Sequence, residues 1–253
     1  MSVAVPRPTR QPWRGGAGIG DGWAMFEGRV GDNRPHRHHA LQLVIAHPEP
    51  VPVWVDGHGQ DLTSGLLIAA YRAHRLLPGP ARLLFIDRES AVGRALTLRC
   101  SQGIRRLTDT ETCAVQAAWP AAPDGSLAPL LAVFGVESHT RPSPTLESDR
   151  VARVLSTLPT RLEEVLSLDR LAHAAALSAS RFRQRARVQV GMPLRPYLRW
   201  LRLQRAMALA ATGRSLTQAA ADAGFSDAAH LTRTMQAHFG VAPSDILAAL
   251  RPG

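Results

Sequence analysis

The chain has 253 residues, enough for two ordinary domains, and carries a formal net charge of +10. Residues 1–14 contain Pro and Arg but no apolar core of signal-peptide length, and no later apolar run approaches the roughly 18 residues of a membrane helix. These features argue against secretion and membrane insertion and predict a cytoplasmic protein.

The excess charge lies in the second half of the chain. Residues 140–253 carry 16 Arg and 8 acidic residues, or +8, whereas residues 1–139 carry 14 Arg and 12 acidic residues, or +2. All 30 basic residues are Arg. Its planar guanidinium can give two hydrogen bonds at once to a phosphate or a guanine edge.

Before about residue 135, short apolar runs alternate with Gly, Pro and Asp turns. Their length and β-branched content predict the strands of a compact β-barrel or sandwich. The predicted strands are residues 23–30, 41–46, 51–55, 66–70 and 82–87, and a helical pattern follows at 127–134.

Cys100 and Cys113 are the only cysteines. Two cysteines do not make a disulfide framework, and a reducing cytosol would leave them free. Structural packing and a redox or soft-metal role both stay open for them.

Residues 140–145 read Thr-Arg-Pro-Ser-Pro-Thr, and their two prolines break any helix and favour an extended backbone. Residues 140–147 are therefore predicted to link a domain at 1–139 to a domain at 148–253. From Ser148 onward the pattern is helical almost without interruption. The predicted fold class is α+β, with a β-barrel followed by an all-α domain.

Two helix-turn-helix patterns stand in tandem in the predicted helical domain. Residues 168–182 and 216–231 each contain a short Ala-rich helix, a turn, and a second helix that a Ser or Asp can cap. This is the layout of a helix that crosses the DNA backbone and a helix that enters the major groove. A supporting helix is predicted at 149–158 and a long connecting helix at 197–211. Two units joined in this way can read successive turns of one face of a duplex.

The two predicted groove helices differ in charge. The first, residues 180–190, carries Arg181, Arg183, Arg185 and Arg187, whereas the second, residues 227–239, carries only Arg233. Alternate residues of an α-helix are about 200° apart, so the four arginines cannot all face one groove. Some of them must meet phosphates or solvent.

A set of residues in the tandem units carries a resemblance to one family. They are Leu168, Leu171, Ala172, Ser178, Ala179, Ser180, Arg181, Phe182, Gly191, Pro193, Tyr197, Arg202, Leu203, Ala206, Gly224, Phe225, Ser226, Asp227, His230, Leu231, Arg233, Phe239, Gly240 and Pro243. In this order they resemble the DNA-binding domain of the AraC/XylS family of bacterial transcription regulators. The resemblance implies binding to duplex operator DNA, with RNA polymerase as a further partner. The chain departs from the family at Ala186 and Met235, where Phe is usual.

The resemblance also implies which positions face DNA. In the first unit they are Ser180, Arg181, Arg183, Gln184 and Arg187, and in the second they are Ala228, Ala229, Thr232 and Arg233. Arg183 can bond guanine and Gln184 adenine in a bidentate manner, while the two alanines offer only methyl contacts. A phosphate contact is the alternative role of Arg233.

A histidine-rich segment, Pro-His-Arg-His-His-Ala-Leu-Gln-Leu at 35–43, marks the first half. On a strand, residues two apart share a face, so His36, His38 and Gln42 point to one side and His39 to the other. His74 follows a later predicted strand. The pattern resembles the metal-binding motif of cupin barrels, which implies a cupin-like sensor domain with His36, His38, Gln42 and His74 as ligands. Imidazoles suit Zn, Cu, Fe and Ni.

The histidine pattern also departs from the cupin motif. Gln42 stands in the place of an anionic Glu, and the usual Pro-x-Gly before the second histidine is absent. Two interpretations therefore stay open: a bound divalent metal, or histidines that line a cavity for a small organic molecule.

Three function classes fit these patterns to different degrees. A transcription regulator controlled by a metal or small molecule in the first domain fits best, and a constitutive regulator whose barrel only dimerises is the main alternative. In that family the usual state is a homodimer, and the helix at 127–134 is a candidate contact. A metal-dependent cupin enzyme is disfavoured, because Glu49 and Asp56 lie in or beside turns rather than beside the histidines. No catalytic residue is predicted.

Overall fold

The computed structural model describes residues 13–31, 33–119, 127–136, 146–164 and 167–249. Strands dominate the first half and helices fill the second, which confirms the α+β class. Within these ranges, no helix is long and apolar enough to span a bilayer. The strands are β1 (Arg14–Gly20), β2 (Trp23–Val30), β3 (Ala40–Ala46), β4 (Val51–Val55), β5 (Gly59–Thr63), β6 (Gly65–Ile68), β7 (His74–Leu76), β8 (Gly79–Asp87) and β9 (Ile104–Arg106).

The strands form two antiparallel sheets. Six strands pair in the order β1-β2-β8-β3-β6-β9, and three pair in the order β5-β4-β7. Alternate side chains of β3 point to opposite faces, because successive residues of a strand do so. Ala40, Val44 and Ala46 join a core that the three-stranded sheet also lines, through Val51, Val53 and other residues of β4. Leu41, Leu43 and Ile45 join a second core on the other face.

Three helices cover that second face: α1 (Ala91–Thr97), α2 (Asp109–Ala117) and α3 (Ala128–Ala132). The region predicted as a dimer contact coincides with α3, but Leu130, Leu131 and Phe134 are buried inside the protomer's own core. These apolar side chains are therefore not available to a second copy. Homodimerisation itself stays a prediction.

The sequence predictions for the strands were correct in part. Residues 23–30 and 51–55 form strands with the predicted limits, and the other three predicted runs are shifted by a few residues. His74 was predicted to stand at the end of the strand predicted at 66–70, which is wrong. Strand β6 ends at Ile68, and His74 begins β7 in the other sheet. Strands β1, β5, β7 and β9 were not predicted.

The helical half contains α4 (Leu146–Thr157), α5 (Leu168–Ala174), α6 (Ala179–Val190), α7 (Leu194–Ala211), α8 (Leu216–Asp222), α9 (Ala228–Phe239) and α10 (Pro243–Ala249). Four helices begin at the polar side chains of Ser167, Ser178, Ser215 and Asp227. Each accepts a hydrogen bond from the backbone N–H three residues later. Of the predicted linker, residues 140–145 lie outside the described residues, and Leu146 and Glu147 already belong to α4. The division into domains stays a prediction.

The two halves pack directly on each other. The indole Nε1 of buried Trp200, in α7, donates to Oδ2 of Asp87 at the end of β8, at 2.6 Å. The backbone N–H of Ala91 donates to the carbonyl of Gly191, which ends α6, at 2.8 Å. The first half therefore holds both the connecting helix and the end of a groove helix.

Candidate functional sites

The two helix-turn-helix units are built alike. In the first, Ser178 caps α6 by accepting from the N–H of Arg181, and α6 ends at Gly191. In the second, Asp227 caps α9 by accepting from the N–H of His230 at 2.6 Å, and α9 ends at Gly240. Helix α7 joins the two units, as predicted from its position in the sequence.

Most positions implied to face DNA are exposed on the groove helices. Ser180, Arg181, Arg183, Gln184 and Arg187 are exposed on α6, and Ala229 and Arg233 are exposed on α9. Ala228 and Thr232 are half-buried, and the Thr232 hydroxyl donates to the carbonyl of Ala228 at 2.8 Å. The positions on α9 all lie in its first half, which leaves its C-terminal end free for other contacts.

Glu147, at the start of α4, is a neighbour that sequence reasoning missed. Its carboxylate lies 3.0 Å from Nη2 of Arg181 and 2.9 Å from Nη2 of Arg185. Hydrogen bonds from Arg181 and then Arg185 hold the pKa of Glu147 below its usual range. Arg181 and Arg185 are four residues apart and so share one side of α6. In this structure their charges face a carboxylate, which sets them apart from Arg183 and Arg187.

The predicted metal ligands converge in space. His36 and His74 exchange backbone hydrogen bonds of 3.0 and 2.9 Å as an antiparallel bridge, so their side chains lie on the same side. The ring nitrogens of His36, His38 and His74 that could hold an ion all lie within 4.8 Å of one another. The Gln42 amide oxygen lies 3.0 Å from Nε2 of His38 and 2.8 Å from Nε2 of His74. His36, His38, His74 and Gln42 are called the histidine cluster below.

Backbone carbonyls orient the three rings of the histidine cluster. Nδ1 of His36, His38 and His74 lies 2.8, 3.0 and 2.8 Å from the carbonyl oxygens of Arg34, Ala40 and Arg72 respectively. An imidazole that donates from Nδ1 keeps a lone pair on Nε2. Metal-binding histidines in proteins are commonly held in this way.

The rings of the cluster are held in their neutral form. Burial lowers the pKa of His38 to about 4, and it lowers the pKa of His36 and of His74 as well. His38 and His74 are 2% and 1% exposed, so water cannot solvate a charge on either ring. A metal ion requires neutral imidazole, so these rings are ready to bind one.

Two arrangements satisfy the polar atoms of the cluster. In the first, Nδ1 of His38 and Nδ1 of His74 donate to backbone carbonyls. Three acceptors then face each other with no hydrogen between them: the Gln42 oxygen and Nε2 of each ring. A divalent cation removes this repulsion, and the donor set fits Zn, Cu, Ni or Fe. A reversed Gln42 amide, whose NH₂ donates to both rings, is the arrangement without a metal.

His39 stands apart from the cluster, as its opposite facing predicts. Its ring stacks on His238 of α9, with centroids 5.0 Å apart, and its Nδ1 bonds the Tyr71 hydroxyl. Its backbone N–H donates to the carbonyl of Ala237 at 2.8 Å. His39 thus packs against the helical half rather than against the cluster.

The two cysteines are free thiols, as predicted. Burial raises the pKa of Cys100 to about 11, and Arg105 opposes this shift. Cys100 is therefore protonated near neutral pH, which argues against a reactive thiolate at this position.

An apolar cavity of about 420 Å³ lies between the halves and was not foreseen from the sequence. Its walls come from β1, β2 and β8 on one side and from α7, α9 and α10 on the other. Among the described residues that line it, none is charged: Trp13, Ala17, Gly18, Ile19, Ala24, Met25, Phe26, Phe85, Gln204, Met207, Ala208, Ala211, Met235, Phe239, Val241 and Ile246.

Two capped helix-turn-helix units with exposed arginines on the groove helices define a DNA-binding domain. Residues 171–249 match a family model described as "Helix-turn-helix domain". This part of the chain is therefore a helix-turn-helix domain.

The chain is also similar to several solved structures. An AraC-type transcriptional regulator from Chromobacterium violaceum is 27% identical over 42% of this chain and 96% of that chain, with a TM-score of 0.37. The DNA-binding domain of AdpA, a global transcriptional factor solved with a target DNA, is 26% identical over 40% of this chain and 93% of its own, with a TM-score of 0.38. ToxT from Vibrio cholerae is 9% identical over 92% of this chain and 99% of that chain, with a TM-score of 0.46. These TM-scores lie below 0.5, so the domain assignment stands on the family model and the observed helix order.

Proposed function

We propose that this protein is a transcription regulator that reads operator DNA with both helix-turn-helix units. The observation that carries the proposal is the exposure of Arg183 on α6 and Arg233 on α9, two helices in equivalent positions of capped units joined by α7. The charge of +8 on residues 140–253 supports contact with phosphates. RNA polymerase and a second copy of the chain are further partners expected from the family resemblance.

Replacing Arg183 or Arg233 by alanine is expected to weaken binding to the preferred duplex by roughly 1 to 3 kcal/mol each. The reason is that each guanidinium can bond the edge of a guanine, and a random duplex seldom has guanine at both of the required positions. The duplex is first selected from a random library with the full chain, and the Kd is then measured by fluorescence anisotropy at fixed salt.

The matched control is Arg29→Ala, an exposed arginine on β2 outside the helical half. This variant is expected to bind as the native chain does. An equal loss on selected and random duplexes would show that Arg183 and Arg233 contact phosphates. If the native chain showed no salt-dependent binding to any duplex, the DNA-binding proposal itself would be wrong.

We further propose that a divalent transition metal bound by the histidine cluster controls this regulator. His36, His38 and His74 would ligate through Nε2 and Gln42 through its amide oxygen, and the ion would supply a fixed positive charge between four neutral donors. Support comes from the three carbonyl-oriented rings and from the opposed acceptors that a cation would satisfy. The proposal assigns this ion a regulatory role and no catalytic one.

Protein purified without a chelator or an affinity tag is expected to carry or take up near-stoichiometric Zn, Cu, Ni or Fe(II). Elemental analysis after gel filtration measures this uptake. His38→Ala is expected to abolish it, because the variant removes a buried ligand. His39→Ala is the matched control, since its ring lies outside the cluster, and it should bind as much metal as the native chain. Equal loss of metal in both variants would refute the assigned ligand set. If the native chain took up no metal, the cluster would instead be held together by the reversed Gln42 amide.

The cavity between the halves favours a second candidate effector. Its uncharged and mostly apolar walls suit a small uncharged apolar molecule, and its volume of about 420 Å³ lies within the usual range of ligand pockets. Saturable heat of binding in calorimetry would support this effector. The metal proposal is independent of it, since the lining of the cavity includes no member of the histidine cluster.

A further inference from the structure

The segment that carries two members of the histidine cluster lies directly on the C-terminal end of α9. The N–H of His39 bonds the carbonyl of Ala237, and its ring stacks on His238. The edge of the His36 ring fits against Gly240, where an added Cβ would lie only 2.1 Å from both Nε2 and Cδ2 of that ring. The position of the His36 ring and the position of the end of α9 therefore depend on each other.

His36 is the least buried member of the cluster. His38 and His74 are 2% and 1% exposed, and Gln42 lies within β3, which pairs on both sides. His36 precedes β3, is only partly buried, and its backbone pairs through a single isolated bridge rather than within a regular strand. Two nitrogens on a tetrahedral zinc ion are about 3.4 Å apart, since each Zn–N bond is about 2.1 Å. The ring nitrogens here all lie within 4.8 Å of one another. Since His38 and His74 are fully buried, we expect an ion that draws the rings together to shift mainly His36.

The contact with α9 leaves its DNA-facing side open. The positions expected to read bases lie in the first half of α9. The segment that carries the cluster meets the other end of α9, through His39 at Ala237 and through His36 at Gly240. An ion that fixes His36 can therefore order α9 without competing with DNA for space. The groove helix of the first unit ends at Gly191 against Ala91, which is outside the cluster.

We propose that a metal ion in the histidine cluster acts as a latch on the second unit, ordering α9 and tightening its binding to DNA. This inference rests on the metal proposal above. Ordering α9 costs conformational entropy. When the metal has already ordered the helix, DNA binding no longer carries that cost, so the two ligands bind with positive coupling. By thermodynamic linkage, DNA must tighten metal binding by the same factor.

The test uses the full chain, Zn²⁺ and the duplex selected as above. Zinc is expected to tighten DNA binding by roughly 5- to 150-fold, and the duplex to tighten zinc binding equally. In hydrogen exchange without DNA, zinc should slow the amides of the last turn of α9 but not those of the last turn of α6. The unaffected α6 is an internal control, because both helices end at a glycine that the first half contacts.

Two variants complete the test. His36→Ala should lose the zinc-dependent protection of α9, whereas His47→Ala, an exposed turn residue, should keep it. Zinc that binds through His38 but leaves DNA affinity unchanged, or weakens it, would overturn the latch and leave the metal site intact. Protection of α6 and α9 alike would also overturn it, since the effect would then be general stabilisation. Failure to bind zinc at all would instead be a failure of the metal proposal.

Discussion

Replacing Trp200 by alanine is expected to lower the free energy of unfolding by about 3 to 5 kcal/mol, the usual cost of emptying a large buried aromatic site. Trp200 is fully buried in α7, and its ring centroid lies 5.3 Å from that of Phe239 in α9. Its indole N–H also donates to Asp87 of the first half. The loss should therefore loosen the packing between the halves as well as the helical core. Urea unfolding followed by circular dichroism measures it.

Two further variants separate packing from the hydrogen bond. Trp200→Phe keeps most of the ring but leaves Oδ2 of buried Asp87 without the indole donor, so we expect an intermediate loss. Trp54→Ala removes a partly exposed tryptophan of β4 and should cost least. A Trp200→Phe variant as unstable as Trp200→Ala would show that the hydrogen bond to Asp87 outweighs packing. A loss at Trp200 no larger than at Trp54 would contradict the buried contact between the halves.

The helical half could be predicted closely because its signals are local. A capping side chain, an apolar stripe and a closing glycine together define a helix within a few residues, as at Ser178, Phe182 and Gly191 of α6. Strands lack such end signals. Strand β1 reads Arg-Gly-Gly-Ala-Gly-Ile-Gly, a sequence of low strand propensity that becomes a strand only because it pairs with β2 along its whole length.

The sequence indicated which residues belong to the histidine cluster, but it could not show how they come together. Alternation along a strand correctly grouped His38 with Gln42 and separated His39, although the regular strand begins only at Ala40. What joins His74 to them is pairing between distant segments, which periodicity within one segment cannot reveal. The contact of His36 with Gly240 depends on how the halves pack, so no local pattern could have indicated it.

Replacing Gly224 by alanine is expected to cost roughly 2 to 6 kcal/mol, because strain in the backbone adds to a collision with it. Gly224 lies in the turn between α8 and α9 with φ of +80°, and an added Cβ would lie 2.1 Å from the carbonyl oxygen of Leu162. Leu162 precedes α5, so this close approach ties the turn of the second unit to the start of the first. The variant should therefore lose affinity for the selected duplex together with stability, and urea unfolding and anisotropy measure the two losses.

Gly213 provides a matched control within the same domain. It follows α7 with φ of +94°, but no atom lies within 4 Å of the place its Cβ would occupy. Gly213→Ala therefore carries the strain of a left-handed alanine alone, about 1 to 2 kcal/mol. The difference between the two variants isolates the contact with Leu162. If they lost equal stability, the turn at Gly224 would have to shift away from Leu162 at little cost, and the relative placement of the two units could not depend on that contact.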